Sequence, residues 1–140
     1  MSSPLASAKA CRFGEIYLHT ESESFDLHNN FDFIDVAYDP HARIARLRWT
    51  RNEYALAEQP HSLIAEFRGV THFSATPRDA DTPFSEDTCV ADIGGIEPSE
   101  RTVPGIYSDV PSGWHHVFTL MSGFVLRVGA ESVLLLPNDI

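Results

Sequence analysis

The stretch Ala42–Arg51 reads Ala-Arg-Ile-Ala-Arg-Leu-Arg-Trp-Thr-Arg, and Ser62–Phe73 reads Ser-Leu-Ile-Ala-Glu-Phe-Arg-Gly-Val-Thr-His-Phe. In the first, Ala45, Leu47 and Trp49 alternate with Arg46, Arg48 and Thr50. In the second, Leu63, Ala65 and Phe67 alternate with Ile64, Glu66 and Arg68. A period of two is the mark of a strand with one face in a core. Both stretches therefore read as β-strands. Arg46 and Arg48 are placed to face Glu66 across neighbouring strands, as ordinary exposed pairs worth ~0.2–1 kcal/mol. Gly69 interrupts the alternation before Val70 and Phe73, which predicts a bulge.

Working outward, Phe31–Tyr38 is the preceding strand, and the turn Asp39-Pro40-His41-Ala42 closes a hairpin. Phe13–His19 reads as a first strand and Thr20–Asn30 as polar turn. Asn52–Gln59 reads as one helical turn capped by Asn52 and stopped by Pro60. Thr82-Pro83 looks like a helix start, with Thr88–Ile93 as a competing short strand. Trp114–Met121, Phe124–Val128 and Ser132–Leu136 form three strands joined by short turns, an antiparallel meander. Val133–Leu136 is apolar on both faces, so that strand is central or covered.

These elements predict a mainly β fold, an antiparallel sandwich or strongly curved sheet with at most one or two short helices. The expected core is Phe33, Leu47, Trp49, Leu63, Phe67, Phe118, Leu120, Leu126, Val133 and Leu135. At 140 residues the chain makes one domain, expected over residues 13–140 behind a flexible tail of residues 1–12. No apolar run approaches the ~20 residues that span a bilayer. Met1–Cys11 lacks the apolar centre of a signal peptide, so a cytoplasmic compartment is the expectation. Thiols stay reduced there, and Cys11 and Cys89 are expected to be free and without a catalytic role.

The net charge is −10, unevenly spread. Residues 79–109 hold eight acids (Asp79, Asp81, Glu86, Asp87, Asp92, Glu97, Glu100, Asp109) against Arg101, a balance of −7. Such a chain repels nucleic acid and anionic lipid, which basic side chains attract. No nucleic-acid or membrane partner is expected. The only basic cluster, Arg43, Arg46, Arg48 and Arg51, divides between two strand faces.

Motifs for catalysis are thin. His115 and His116 are adjacent on a strand and point to opposite faces, so one strand does not aim both at one metal. Neither His-x-His nor His-Glu-x-x-His spacing occurs. Asp79-Ala80-Asp81 opens like a calcium loop, but Phe84 stands where glycine is required and Val90 at the closing position. Asp32 and Asp35, three apart on a strand, are expected to face opposite ways, which argues against a catalytic pair. Gly-x-Ser-x-Gly and phosphate-loop motifs are absent. No cofactor is predicted.

The order of an aromatic-acidic strand, a hairpin with Leu47-x-Trp49, Phe67-Arg68-Gly69-Val70-x-x-Phe73 and a C-terminal meander resembles small bacterial toxin-immunity-like β domains. The likeness lies chiefly in Phe31–Phe73. It implies a non-enzymatic protein that binds another protein, and it carries no catalytic residues. The leading functional expectation is a module that engages a basic protein partner through Asp79, Asp81, Glu86 and Asp87, with Tyr107 and Trp114 as flanking aromatic anchors. A small apolar ligand held between sheets is the second reading. A hydrolase or metal enzyme using His115 or His116 is the third.

Overall fold

The computed structural model describes residues 7–101 and 107–137. Their strands are β1 (Lys9–Ala10), β2 (Arg12–Gly14), β3 (Tyr17–His19), β4 (Ser24–Asp26), β5 (Phe31–Asp39), β6 (Ile44–Arg51), β7 (Ser62–Arg68), β8 (His72–Thr76), β9 (Val90–Ile96), β10 (His115–Leu120), β11 (Val125–Gly129) and β12 (Ser132–Leu135). One 3-10 turn, Phe84–Thr88, is the single helical element among the described residues. All pairings are antiparallel, in sheets ordered β1-β12-β7-β6-β5, β8-β11-β10-β9 and β2-β3-β4. The fold is the expected mainly β, sandwich-like domain. No described helix is long and apolar enough to cross a membrane.

The alternation in β6 works as read. Ala45, Leu47 and Trp49 are buried while Arg46, Arg48 and Thr50 are exposed. Phe13 locks the first two sheets together. Its ring lies 6.1 Å from Trp49 and 6.1 Å from Phe67 on the first sheet, and 5.0 Å from Phe118 on the second. Leu126 and Val128 complete the facing surface. Of the expected core, Phe33 and Val133 are only half-buried, and the rest is buried.

Several local expectations change. Phe13–His19 is a tight hairpin, β2 and β3, because Glu15 turns the chain at φ 57°. Within the expected polar turn, Ser24–Asp26 adds β4, and Phe25 and Leu27 are buried. Of the expected tail, residues 1–6 lie outside the described residues, whereas Lys9–Ala10 pairs with β12. Asn52–Gln59 is not helical; Asn52 instead accepts the Tyr54 N–H at 2.9 Å in a side-chain turn. Helix start and strand at 82–93 both exist in succession, as the 3-10 turn and then β9.

Gly69 (φ 65°) makes a corner between sheets where a bulge was expected. The chain leaves the first sheet at Arg68 and enters the second at His72. A side chain at Gly69 would collide with the Glu131 carboxyl. The reverse crossing runs alongside, since Glu131 N–H donates to Arg68 O at 3.0 Å. Thus β10 and β11 form a hairpin, but β12 leaves it to pair between β7 and β1. The C-terminal meander is two strands in one sheet and one in the other. The apolar run Val133–Leu136 is explained by that central position.

A bulge does occur in β5. Asp32 pairs with Thr50, Phe33 with Trp49 and Asp35 with Arg48, so Ile34 is the extra residue. The bulge restores Asp32 and Asp35 to the same outer face, contrary to the simple count. Asp35 is taken by Arg48, which donates from Nε at 2.8 Å. Glu66 is therefore not shared by Arg46 and Arg48. It is only 3% exposed, clamped by Arg46 Nε at 2.7 Å and Arg68 Nε at 2.6 Å.

Candidate functional site

The acidic segment begins where β8 ends. Pro77 and Pro83 withhold N–H groups and steer the chain out of the sheet. Arg78 then fastens the loop on itself. Its Nε donates to Asp87 Oδ1 at 2.8 Å, its Nη1 to Asp79 O at 3.1 Å and its Nη2 to Thr82 O and, at 3.2 Å, to Pro83 O. The guanidinium carbon sits 4.7 Å over the Phe84 ring. Backbone bonds attach the loop to the β10–β11 hairpin, with Asp79 N–H on Ser122 O at 2.7 Å and Met121 N–H on Cys89 O at 2.8 Å. Gly123 (φ 86°) leaves room for the Asp79 carboxylate beside it.

Charge is distributed unequally on this loop. Asp87 is the partner of Arg78, which holds its carboxyl below the usual range. Asp79, Asp81 and Glu86 form no ion pair with a described residue. Asp79 and Asp81 are exposed and Glu86 is half-buried. Phe84 stands 79% exposed among them, with Met121 and Ile34 close to half exposed. Beside the Arg78–Asp87 pair, Phe33, Ile34, Leu120 and Phe124 line an apolar hollow of about 290 Å³.

Tyr107 and Trp114 lie elsewhere. Tyr107 exchanges backbone bonds with Gly95 of β9, and its ring meets Trp114 edge-on at 5.5 Å. Trp114 precedes β10 and Ser122 follows it, so the aromatic pair and the acidic loop are roughly 25 Å apart along an extended strand. The structure brings Asp79, Asp81, Glu86 and Asp87 together and separates Tyr107 and Trp114 from them. Phe84, Ile34 and Met121 are the apolar neighbours of the acids. The bulge that exposes Ile34 has no signature in sequence. Phe84 between Pro83 and Ser85 was the legible clue.

The histidines divide as their alternation requires. His116 faces the core among Phe13, Phe67 and Phe118, and its Nδ1 is buried without a partner among the described residues. Burial, then the neighbouring His115, lower its pKa to about 4. His115 lies on the opposite face, stacked on His72 at 4.8 Å. Arg127 Nε–H donates to its Nδ1 at 2.9 Å. Burial, then Arg127 and His72, lower the His115 pKa to about 4. Neither imidazole is bonded to a described carboxylate, which the orienting member of a catalytic triad would supply. No group of three potential metal ligands occurs among the described residues.

Cys89 and His28 resemble a nucleophile and base, with Sγ 3.4 Å from Nδ1. The electrostatics run the wrong way. His28 Nδ1 is 2.6 Å from the Val90 carbonyl, to which it must donate. Burial, then Glu86, Asp32 and Asp26, raise the Cys89 pKa. Cys11 is raised by burial to about 12. Both cysteines are free thiols, and neither environment favours the thiolate that attacks a substrate.

No family model, curated protein or solved structure matches the chain.

Proposed function

We propose that the protein is a non-enzymatic binding module of neutralising type, and that its Arg78-fastened acidic loop engages a basic protein partner. The observation that carries this reading is the unequal use of charge on the loop. One carboxylate, Asp87, is consumed in holding the shape, while exposed Asp79 and Asp81 and half-buried Glu86, on the same loop as the exposed Phe84, form no ion pair with a described residue. A loop ordered before encounter gives up less entropy on binding. Clustered charge accelerates the approach of an opposite charge, and an exposed aromatic supplies contact once docked. An immunity-type inhibitor acts in this way, by covering a partner's basic surface.

Zero-length carbodiimide cross-linking in extract of the native host tests it, because the reagent joins carboxylates to lysines in contact. The expected result is cross-links from Asp79, Asp81 and Glu86 to lysines of one basic protein. Cross-links spread over all exposed carboxylates, or joined to an acidic protein, would overturn the reading.

A further inference from the structure

The hollow beside the Arg78–Asp87 pair lies at a seam between the two main sheets. Phe33 and Ile34 come from β5, the edge strand of the first sheet. Leu120 ends β10 of the second, and Phe124 stands just before β11. The bulge in β5 leaves Ile34 46% exposed, and Phe33 and Phe124 are only half-buried. Water therefore wets apolar side chains that a docked side chain would cover. At about 290 Å³ the hollow exceeds the ~150 Å³ cavity that accepts benzene, so it takes one leucine, methionine or phenylalanine side chain.

Charge decides what carries that side chain. Asp87 lines the hollow, but its carboxylate is held by Arg78. Glu86 precedes Asp87 in the 3-10 turn, and Cys89 follows Thr88, another lining residue. Burial, then Glu86, Asp32 and Asp26, raise the Cys89 pKa, which places three more carboxylates near the thiol. None of the three forms an ion pair with a described residue. The hollow is thus an apolar spot in acidic surroundings. A second copy of this chain, at −10, is repelled from it, as are nucleic acid and anionic lipid.

We propose that the hollow receives one large apolar side chain of the basic partner, carried between lysines or arginines that meet the carboxylates around it. The inference rests on the docking reading and adds a selection step to it. Charge brings any basic segment near, and the hollow favours the segment with an apolar side chain among its basic ones.

The test is an NMR titration of the full chain, methyl-labelled at isoleucine and leucine, at low salt. The probes are capped peptides: Lys-Lys-Leu-Lys-Lys, Lys-Lys-Ser-Lys-Lys and Glu-Glu-Leu-Glu-Glu. The first is expected to shift the Ile34 and Leu120 methyl resonances and to bind about tenfold more tightly than the second, the lower end for burying a leucine side chain. The acidic peptide should not bind. Ile34→Gln, at an exposed position, should cut the preference for leucine to about threefold or less and leave the serine peptide unaffected. Asp79→Asn/Asp81→Asn/Glu86→Gln should weaken both basic peptides alike and preserve the preference. Equal affinity for the leucine and serine peptides, or unmoved Ile34 and Leu120 methyls at saturation, would overturn the inference; the docking reading would stand if the triple variant still weakened both. No binding of either basic peptide would also overturn the inference, and binding of the acidic peptide would overturn both readings.

Discussion

Arg127 donates its Nε–H to Nδ1 of His115 at 2.9 Å, and this bond is possible only while His115 is neutral there. A buried guanidinium beside a second cation would be repelled. The folded state therefore resists protonation of His115, and burial does the same to His116. Both have folded pKa values near 4 against an ordinary 6.5. Depressed histidines contribute stability that is present above the unfolded pKa and lost as pH falls towards the folded one. The window is pH 6.5 to about 4, with on the order of 3 kcal/mol at stake per imidazole. Urea midpoints across that range should fall steeply with acid, and His116→Phe should flatten the slope. A midpoint independent of pH in that window would refute the assignment.

Gly129 lies on β11, between His72 on β8 and His115 on β10. It pairs with His72 on β8, and its missing side chain lets the His115 ring lie over the backbone. Gly129→Ala would drive a methyl into that ring. Overpacking of this kind costs about 1–3 kcal/mol. Chemical denaturation should show that loss.

Glu66 is clamped between arginines that are themselves half exposed. Burial raises its pKa, but Arg68 and Arg46 outweigh burial and leave it lowered. Removing the carboxylate frees two arginines that water can solvate. Removing the arginines strands a buried charge. Glu66→Leu should therefore cost less than about 1.5 kcal/mol, and Arg46→Ala/Arg68→Ala together about 3 kcal/mol. Equal losses in a denaturation series would contradict this asymmetry.

Arg78 is the fastening of the acidic loop. Arg78→Met keeps the length of the side chain and removes all its donors. Residues 79–88 should then exchange amide protons and be cut by protease at least about tenfold faster, while global stability falls by less than about 1 kcal/mol because no residue of the 3-10 turn Phe84–Thr88 is buried in the core. Unchanged local protection would show that the backbone bonds to Ser122 and Cys89 suffice.

The strands were legible where one face meets a core. Ala45, Leu47 and Trp49 announced β6, and the hairpin before it followed from Asp39-Pro40. Sequence periodicity carries no information about which sheet a strand joins: it predicts β12 as the third strand of a meander, whereas β12 pairs with β7 and Glu131 N–H donates to Arg68 O. The bulge at Ile34 was hidden because one extra residue leaves the composition of a strand unchanged while reversing which acids share a face. The acid cluster itself was readable as charge. Its separation from Tyr107 and Trp114 was not, because closeness in sequence spans the length of β10 in space.

The loop fastened by Arg78 is proposed to recruit a basic partner through carboxylates that no described residue pairs, and association kinetics measure this. The partner captured by cross-linking is to be mixed with the unmodified protein and with Asp79→Asn/Asp81→Asn/Glu86→Gln, at low and at high salt. Asp87 is left intact so that the loop keeps its shape. The prediction is an association rate about tenfold slower for the variant at low salt, converging with the unmodified protein at high salt, and a nearly unchanged dissociation rate. An association rate equal to that of the unmodified protein at low salt would contradict it.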